Sequence, residues 1–288
     1  MTNPPAGPDL NTKSPGYKMP RDACDCHVHV IGPVDRFPFA SEARAKAIEA
    51  PKESLEIMHR KIGADRCVIV HAGTHGNDLA VTLDAMATSY RQVRAVAKVE
   101  GSITDARLLE LTAAGFRAVR YTPALDGKPV NRDAVSRIAD RIAPLGWHIL
   151  FLFRGNDLPE YAEFLSSLPV TCLLDHFGGI DPTGSTEQET YQVIVELLGK
   201  NCWIKLSAPE RLSSEAYPFE DITKIGASII KAAPDRVIWG TDWPHPSVPP
   251  PALTNDGDLV DLIPAYTKDP ALQKKLLVDN PARLYEFY

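Results

Sequence analysis

The chain has no long apolar run and no strongly basic segment, and each of these absences excludes a class of protein. Among its 288 residues, 31 lysines and arginines stand against 37 aspartates and glutamates, which gives a net charge of -6 with the eight histidines neutral. No run approaches the roughly 18 apolar residues of a membrane-spanning helix. No cluster of basic residues forms the footprint that nucleic acids require. The sequence therefore predicts neither a membrane protein nor a nucleic-acid partner.

Cysteines are few and odd in number. The five of them, Cys24, Cys26, Cys67, Cys172 and Cys202, lie in separate apolar segments. This pattern favours buried free thiols in a reducing compartment over a disulfide framework. The first twenty residues, MTNPPAGPDLNTKSPGYKMP, also lack the basic and then apolar segments of a secretory signal. We therefore expect a cytoplasmic protein in which residues 1–20 form an extended arm and residues 21–288 form the folded domain.

A dinucleotide-binding fingerprint is missing as well. No G-x-G-x-x-G follows the first apolar run, and the glycines of HAGTHGND and DHFGGID do not have that spacing. An open doubly wound sheet, the second fold considered, thereby loses its main support.

The sequence does contain a regular alternation of short apolar runs and segments with helical spacing. Eight runs predict strands over 23–30, 66–71, 94–99, 116–121, 147–153, 170–176, 202–207 and 236–242. Helices are predicted over 52–62, 77–90, 104–114, 131–143, 157–167, 187–199, 219–232, 258–267 and 270–286. Eight strand–helix units predict an α/β protein with a single (β/α)₈ TIM-type barrel over residues 21–288.

Polar residues recur at the carboxyl ends of the predicted strands, where the active site of such a barrel lies. In the first strand, alternation places Asp25, His27 and His29 on one face and Cys24, Cys26 and Val28 on the other. A buried polar face is unfavourable unless it binds something. The other strand ends contribute His71, Thr74, His75, Arg120, Arg154, Asp175, His176, Ser207, Glu210, Arg211, Asp242 and His245.

With these residues the chain resembles the amidohydrolase superfamily, in its amidohydrolase-2 branch of pyrone-dicarboxylate lactonases, sugar lactonases, a galactarolactone isomerase and zinc-dependent decarboxylases. The blocks DCHVHV, LLDHFGG, WIKLSAPERL and RVIWGTDWPHPS carry the resemblance, in that order along residues 20–288. The last two blocks are most similar to those of 2-pyrone-4,6-dicarboxylate lactonases. The resemblance implies a metal-independent lactonase that opens a small anionic lactone reversibly.

Roles for the polar residues follow from this resemblance and from their chemistry. Asp242 is expected to act as the general base on a water, with a pKa suited to that task by its burial. His27, His29 and His176 are expected to polarise the lactone carbonyl. Arginine binds carboxylates in a bidentate fork. The predicted substrate-binding residues are Arg120, Arg211, Arg154, Thr74, His75, Ser207, Lys128 and His245.

A zinc ion is the alternative cofactor. Superfamily members that bind zinc use the H-x-H pair, a strand-five histidine and the strand-eight aspartate, but here His148 lies at the opposite end of strand five. His148 is therefore expected to be structural, and His59, within a helix, to be structural or exposed to solvent. The possible zinc ligands that remain are His27, His29 and Asp242, with His176 assisting. We favour no metal, because the arginines place positive charge where the cation would sit.

The substrate and the reaction type stay open at this stage. Pyrone-dicarboxylate lactonases carry a second arginine after strand four and tyrosines after strands one and five, which this chain lacks, although Lys128 or Arg154 could compensate for the arginine. A muconolactone or sugar-acid lactone is therefore also expected to fit. The alternatives are a lactone isomerase of the galactarolactone type, a zinc-dependent decarboxylase and a non-catalytic carboxylate-binding barrel. Both a monomer and a homodimer are compatible with the sequence.

Overall fold

The computed structural model describes residues 8–41, 48–89, 91–183, 189–246, 248 and 254–288. Eight strands pair in parallel, each with the next along the chain. They are β1 Cys24–Val28, β2 Arg66–Val70, β3 Gln92–Ala97, β4 Phe116–Tyr121, β5 His148–Phe151, β6 Cys172–Leu174, β7 Cys202–Leu206 and β8 Val237–Trp239. The predicted order of eight strands is confirmed.

Helices follow the strands and surround them. They are α1 Lys52–Ile62, α2 Ala80–Thr88, α3 Asp105–Ala114, α4 Pro123–Asp126, α5 Arg132–Ile142, α6 Leu158–Ser167, α7 Glu189–Leu198, α8 Glu220–Ala232, α9 Asp256–Asp261, α10 Ile263–Tyr266, α11 Pro270–Lys274 and α12 Asn280–Tyr285. Two of the predicted helices are divided. The segment 258–267 breaks between α9 and α10, and a π-helical turn at Lys275–Asp279 separates α11 from α12.

The barrel closes where β1 meets the residues that follow β8. The amide of Asp242 donates to the carbonyl of His27 at 2.9 Å, and the amide of His29 donates to the carbonyl of Trp243 at 2.8 Å. Gly240 permits this approach, because a Cβ at that position would lie 2.6 Å from the backbone nitrogen of His27. Together with the parallel pairing of all eight strands, this contact confirms the predicted (β/α)₈ barrel.

The prediction that Asp25 shares a face with His27 and His29 is wrong. The pairing of β1 with β2 shifts between Asp25 and Val28, which is the signature of a β-bulge. Before the bulge, Cys24 and Cys26 pack in the inner cluster of the barrel. After it, Val28 packs in the outer core instead. The bulge thus turns His27 inward and leaves Asp25 outside.

Asp25 instead joins three elements of the barrel wall. Its carboxylate accepts from the amide of Thr241 at 2.9 Å and from the hydroxyl of Thr241 at 2.7 Å. On α1, the buried His59 approaches the same carboxylate, with Nε2 3.2 Å from Oδ2. His59 is therefore structural, and Asp25 ties β1 to the end of β8.

Two apolar layers make up the core. The outer layer lies between the strands and the helices. The inner one fills the barrel with alternate strand residues such as Val68, Leu150 and Ile238, and the carboxyl-terminal Tyr285 and Phe287 pack against it. All five cysteines are buried and free, as predicted. Among the described residues, no helix is long and apolar enough to cross a membrane.

The described part of the predicted arm, residues 8–20, packs along α9. The amide of Lys13 donates to Asn255 Oδ1 at 2.8 Å, and the amide of Tyr17 donates to Asp261 Oδ1 at 2.8 Å. Residues 1–7 of the arm, and residues 247 and 249–253 of the loop after β8, lie outside the described residues. The division at residue 20 stays a prediction.

The stability of the barrel should depend on pH through His148. Burial lowers the pKa of His148 to about 3, and the charge of Lys205 acts in the same direction, whereas an unfolded histidine titrates near pH 6.5. At mildly acidic pH the unfolded chain therefore binds a proton at His148 that the folded chain does not bind. The contribution of neutral His148 to folding stability is complete above about pH 6.5 and is lost as the pH falls toward about 3.

His148→Phe removes this titration and keeps a ring against Tyr285. The free energy of unfolding is measured by urea denaturation at a series of pH values. Between about pH 3 and 6.5, its slope against pH should be smaller in His148→Phe than in the unaltered protein, by up to about 1.4 kcal/mol per pH unit. An identical slope in both proteins would contradict the assignment.

Candidate active site

Three residues at neighbouring strand ends have left-handed backbone conformations. His176 has φ 45°, Ala208 has φ 52° and Asp242 has φ 69°, after β6, β7 and β8 respectively. Such conformations are unfavourable for residues other than glycine and occur often at functional sites. They direct His176 and Asp242 toward the same point at the carboxyl ends of the strands.

Asp175 forms the inner part of the site and is fully buried. Its Oδ1 lies 3.0 Å from His27 Nδ1 and 3.1 Å from Lys205 Nζ, and its Oδ2 accepts from Arg120 Nη2 at 3.0 Å. Burial opposes its ionisation, but its neighbours His176, His27 and Lys205 hold the pKa of this carboxyl well below its usual range. Asp175 is therefore a carboxylate that anchors its neighbours.

Asp242 forms the outer part and is also fully buried. Its Oδ2 accepts from Arg211 Nη1 at 3.3 Å. Its Oδ1 lies 3.3 Å from His27 Nε2, 3.6 Å from His29 Nε2 and 3.7 Å from His176 Nε2, and has no hydrogen-bond partner among the described residues. Burial opposes ionisation here too, but His176 and the other neighbours hold the pKa of Asp242 well below its usual range.

The hydrogen bonds of two histidines fix what each presents to the site. His29 Nδ1 lies 2.7 Å from the carbonyl of Val70, which only accepts, so a neutral His29 carries its lone pair on Nε2. His176 Nδ1 lies 2.7 Å from Ser207 Oγ, and its Nε2 is buried with no partner among the described residues. Burial lowers the pKa of His176 to about 4, which makes it neutral at neutral pH.

Two of the predicted substrate-binding histidines already use both ring nitrogens. His75 accepts from the amide of Gly32 at 3.3 Å and contacts the carbonyl of Pro38 at 3.3 Å. His245 lies between two carboxylates, with Nδ1 2.9 Å from Glu210 and Nε2 3.2 Å from Asp256. His75 and His245 therefore connect loops at the carboxyl ends of the strands, and neither has a free ring nitrogen for a substrate.

The remaining predicted residues lie at different depths. Ser207 contacts His176, while Arg120 and Arg211 contact the two buried carboxylates. Thr74 is half-buried, and its hydroxyl has no hydrogen-bond partner among the described residues. Arg154 and Lys128 are exposed, and their role toward a substrate stays a prediction.

Sequence reasoning missed Lys205 altogether and assigned Asp175 no catalytic or substrate-binding role. Lys205 is fully buried and faces the inside of the barrel. A signal was available, because Lys205 precedes Ser207 by two residues and side chains on a strand alternate between faces.

The donor atoms of the site bear on whether it holds a metal. His27, His29 and Asp242 place three ligand atoms within 4.8 Å of one another, as do His27, Asp175 and His176. Three cations, Arg120, Lys205 and Arg211, already pair with the two carboxylates. The spacing of the donor atoms thus suits one metal ion, whereas the charge of the site suits an anion.

Comparisons with known proteins agree with this architecture. The amidohydrolase family model matches residues 24–287. A 2-pyrone-4,6-dicarboxylate hydrolase of Comamonas testosteroni is 40% identical over 96% of this chain and 93% of its own length. A 4-sulfomuconolactone hydrolase of Hydrogenophaga intermedia is 31% identical over 97% and 93% respectively. A crystal structure from Agrobacterium tumefaciens, 26% identical, superposes with a TM-score of 0.85 over 95% of this chain and 99% of that one.

The chain belongs to the amidohydrolase family. The resemblance inferred from its four sequence blocks is thereby confirmed.

The bridge through His245 should contribute strongly to stability. Burial alone would lower the pKa of His245, but Asp256 and Glu210 raise it well above its usual value, so the ring is a cation at neutral pH. Removal of one partner from a buried ion pair typically costs about 3–5 kcal/mol. His245→Gln should lower the unfolding free energy at pH 7 by about this amount in urea denaturation.

His75→Gln is the matched control, because His75 is a buried histidine whose ring nitrogens contact only backbone groups. Its loss should cost about 1–3 kcal/mol. Equal destabilisation by the two substitutions would show that the charge of His245 contributes nothing.

Proposed function

We propose that this amidohydrolase is a lactonase that opens, reversibly, a small lactone bearing carboxylate groups. The observation that carries the proposal is the free Oδ1 of Asp242, a buried carboxylate oxygen surrounded by three imidazole nitrogens. The names of the relatives from Comamonas testosteroni and Hydrogenophaga intermedia support the same class of substrate, since both are lactone hydrolases.

Asp242 acts as the general base. Its Oδ1 accepts a proton from a water molecule, whose oxygen attacks the lactone carbonyl carbon. The bond between that carbon and the ring oxygen then breaks, and the proton passes to the ring oxygen, so that one water is added and an acid and a hydroxyl group (or its keto form) are produced. Because its neighbours lower the pKa of Asp242, the base form is present throughout the neutral and mildly acidic range.

His176 polarises the carbonyl. When the Ser207 hydroxyl donates to Nδ1, the neutral ring carries its proton on the unpartnered Nε2. A fixed donor of this kind stabilises the negative charge that develops on the carbonyl oxygen. His29 differs from the expectation stated for all three histidines, because its Nε2 carries a lone pair when the ring is neutral and can only accept.

Excess positive charge selects the substrate. Arg120, Lys205 and Arg211 outnumber the two carboxylates that they contact, and the side chains of Arg120 and Arg211 keep 10% and 20% of their surface exposed. These two guanidinium groups are therefore available to carboxylates of the lactone. 2-Pyrone-4,6-dicarboxylate, a muconolactone or a sugar-acid lactone meets this requirement.

The proposed reaction uses no metal. A zinc ion held by His27, His29 and Asp242 would supply water activation by lowering the pKa of the water. Asp242 supplies a base for that water without it, and the three cations around the carboxylates disfavour a further positive charge.

The test is hydrolysis of 2-pyrone-4,6-dicarboxylate and a panel of muconolactones and sugar-acid lactones, with products identified by NMR. Asp242→Asn should lower kcat by about 10²–10⁴-fold, which is the usual contribution of a general base. The matched control is Asp140→Asn, at an exposed aspartate on α5, and it should leave kcat unchanged.

Each other outcome would overturn the proposal in a recognisable way. Conversion of one lactone into another with the ring still closed would identify an isomerase, and release of carbon dioxide would identify a decarboxylase. Binding of every lactone without turnover would identify a carboxylate-binding barrel.

A further inference from the structure

The proposed reaction leaves one buried charge without a role. Lys205 lies on β7 inside the barrel, with 0% of its surface exposed. Its Nζ is 3.1 Å from Asp175 Oδ1 and 3.1 Å from His27 Nδ1. A buried ammonium group is unfavourable unless it is paired and hydrogen-bonded, so its position under His27 requires a physical account.

These three atoms form a triangle that permits two arrangements of protons. Because His27 Nδ1 is also 3.0 Å from Asp175 Oδ1, it either donates to that oxygen or accepts from Lys205. In the first arrangement, two donors, Lys205 Nζ and the ring N–H, face each other at 3.1 Å. In the second, Lys205 donates to both neighbours and the ring proton of neutral His27 lies on Nε2.

The other side of the His27 ring distinguishes the two arrangements. His27 Nε2 lies 3.3 Å from His29 Nε2 and 3.3 Å from Asp242 Oδ1, and both of these atoms accept. If His27 Nε2 also carried a lone pair, three acceptors would meet in a buried space with no side-chain proton between them, and only a bound water could separate them. The Nε2 of His176 does not resolve this conflict, because its 3.7 Å distance from Asp242 Oδ1 is too long for a hydrogen bond.

We infer that Lys205 is a positioning residue that holds His27 with its proton on Nε2 and thereby excludes a divalent metal from the site. Metal ions bind the lone pair of an imidazole nitrogen, so a protonated Nε2 removes one of the three ligands of the His27, His29 and Asp242 group. The inference rests on the proposed metal-independent reaction and explains how this chain achieves it.

The same proton lies beside the site of reaction. His27 Nε2–H is donated to His29 Nε2 at 3.3 Å, and Asp242 Oδ1, which binds the attacking water, lies 3.3 Å from the same His27 nitrogen. A metal ion on His27 Nε2 would have to displace this proton.

The first experiment is ¹⁵N NMR of the whole protein labelled at its histidines, with the His27 signals identified through His27→Gln. The expected result is a proton on Nε2 of His27 and none on Nδ1. His29 is the internal reference and should show the opposite tautomer, because its Nδ1 donates to the Val70 carbonyl. A His27 ring protonated on Nδ1 in the unaltered protein overturns the inference.

The second experiment is zinc titration of Lys205→Met, followed by calorimetry and elemental analysis. Without Lys205, His27 Nδ1 should donate to Asp175 and turn a lone pair on Nε2 toward His29 and Asp242. Zinc affinity should then rise roughly 10- to 100-fold, the usual effect of a partner that orients a metal-binding histidine.

Arg120→Met is the matched control, because it also removes one positive charge from Asp175, but Arg120 contacts the other carboxylate oxygen. Its zinc affinity should rise clearly less than that of Lys205→Met, because it removes the same charge without freeing the Nε2 lone pair of His27. An equal rise in both variants, or a rise in neither, overturns the inference. Should Lys205→Met fail to fold, the tautomer of His27 in the unaltered protein decides alone.

Failure of this inference can be distinguished from failure of the proposed function, because tautomer and zinc affinity are measured without turnover. If His27 is protonated on Nε2 but the protein opens no lactone, the role of Lys205 stands and the proposed lactonase function is wrong. If the protein opens lactones but His27 is protonated on Nδ1, the proposed function stands and the role of Lys205 is wrong.

Discussion

Two carboxylates buried within one site, Asp175 and Asp242, are the constraint on which the rest of the active site depends. Both are fully buried, where an unpaired charge would be strongly unfavourable. Arg120 and Lys205 compensate Asp175, and Arg211 compensates Asp242. Because these partners come from β4, β7 and the turn after β7, the charge balance also fixes the positions of several strand ends relative to one another. The excess of cations leaves the site ready for an anionic substrate.

The position of His27 between the two carboxylates depends on a local irregularity of β1. Its ring contacts Asp175 on one side and Asp242 on the other only because the bulge after Asp25 turns it inward. Closure of the barrel by the Asp242 amide and the His27 carbonyl then sets the distance between the two residues. A regular strand would have placed His27 on the same face as Asp25, against the helices.

The sequence was sufficient to predict the barrel fold, for physical reasons. Apolar runs alternate with helical spacing through the whole chain, and strand ends in such a barrel collect on one face, so Asp242, His176 and Ser207 could be grouped without a structure. The bulge could not be predicted, because a one-residue shift in register leaves no mark in a short strand. The connecting role of His245 depends on Glu210 and Asp256, which only the folded loops bring to it. Lys205 was overlooked because lysines are almost never fully buried unless they are paired.

The central claim is that a carboxylate with imidazole neighbours opens the lactone without a metal. The most direct measurement is kcat/KM for lactone opening by enzyme that has been stripped with a chelator, with its metal content verified by elemental analysis. The account predicts that kcat/KM is the same before stripping, after stripping and after addition of zinc. Activity that disappears with the metal and returns with zinc would contradict it, and would make His27, His29 and Asp242 metal ligands.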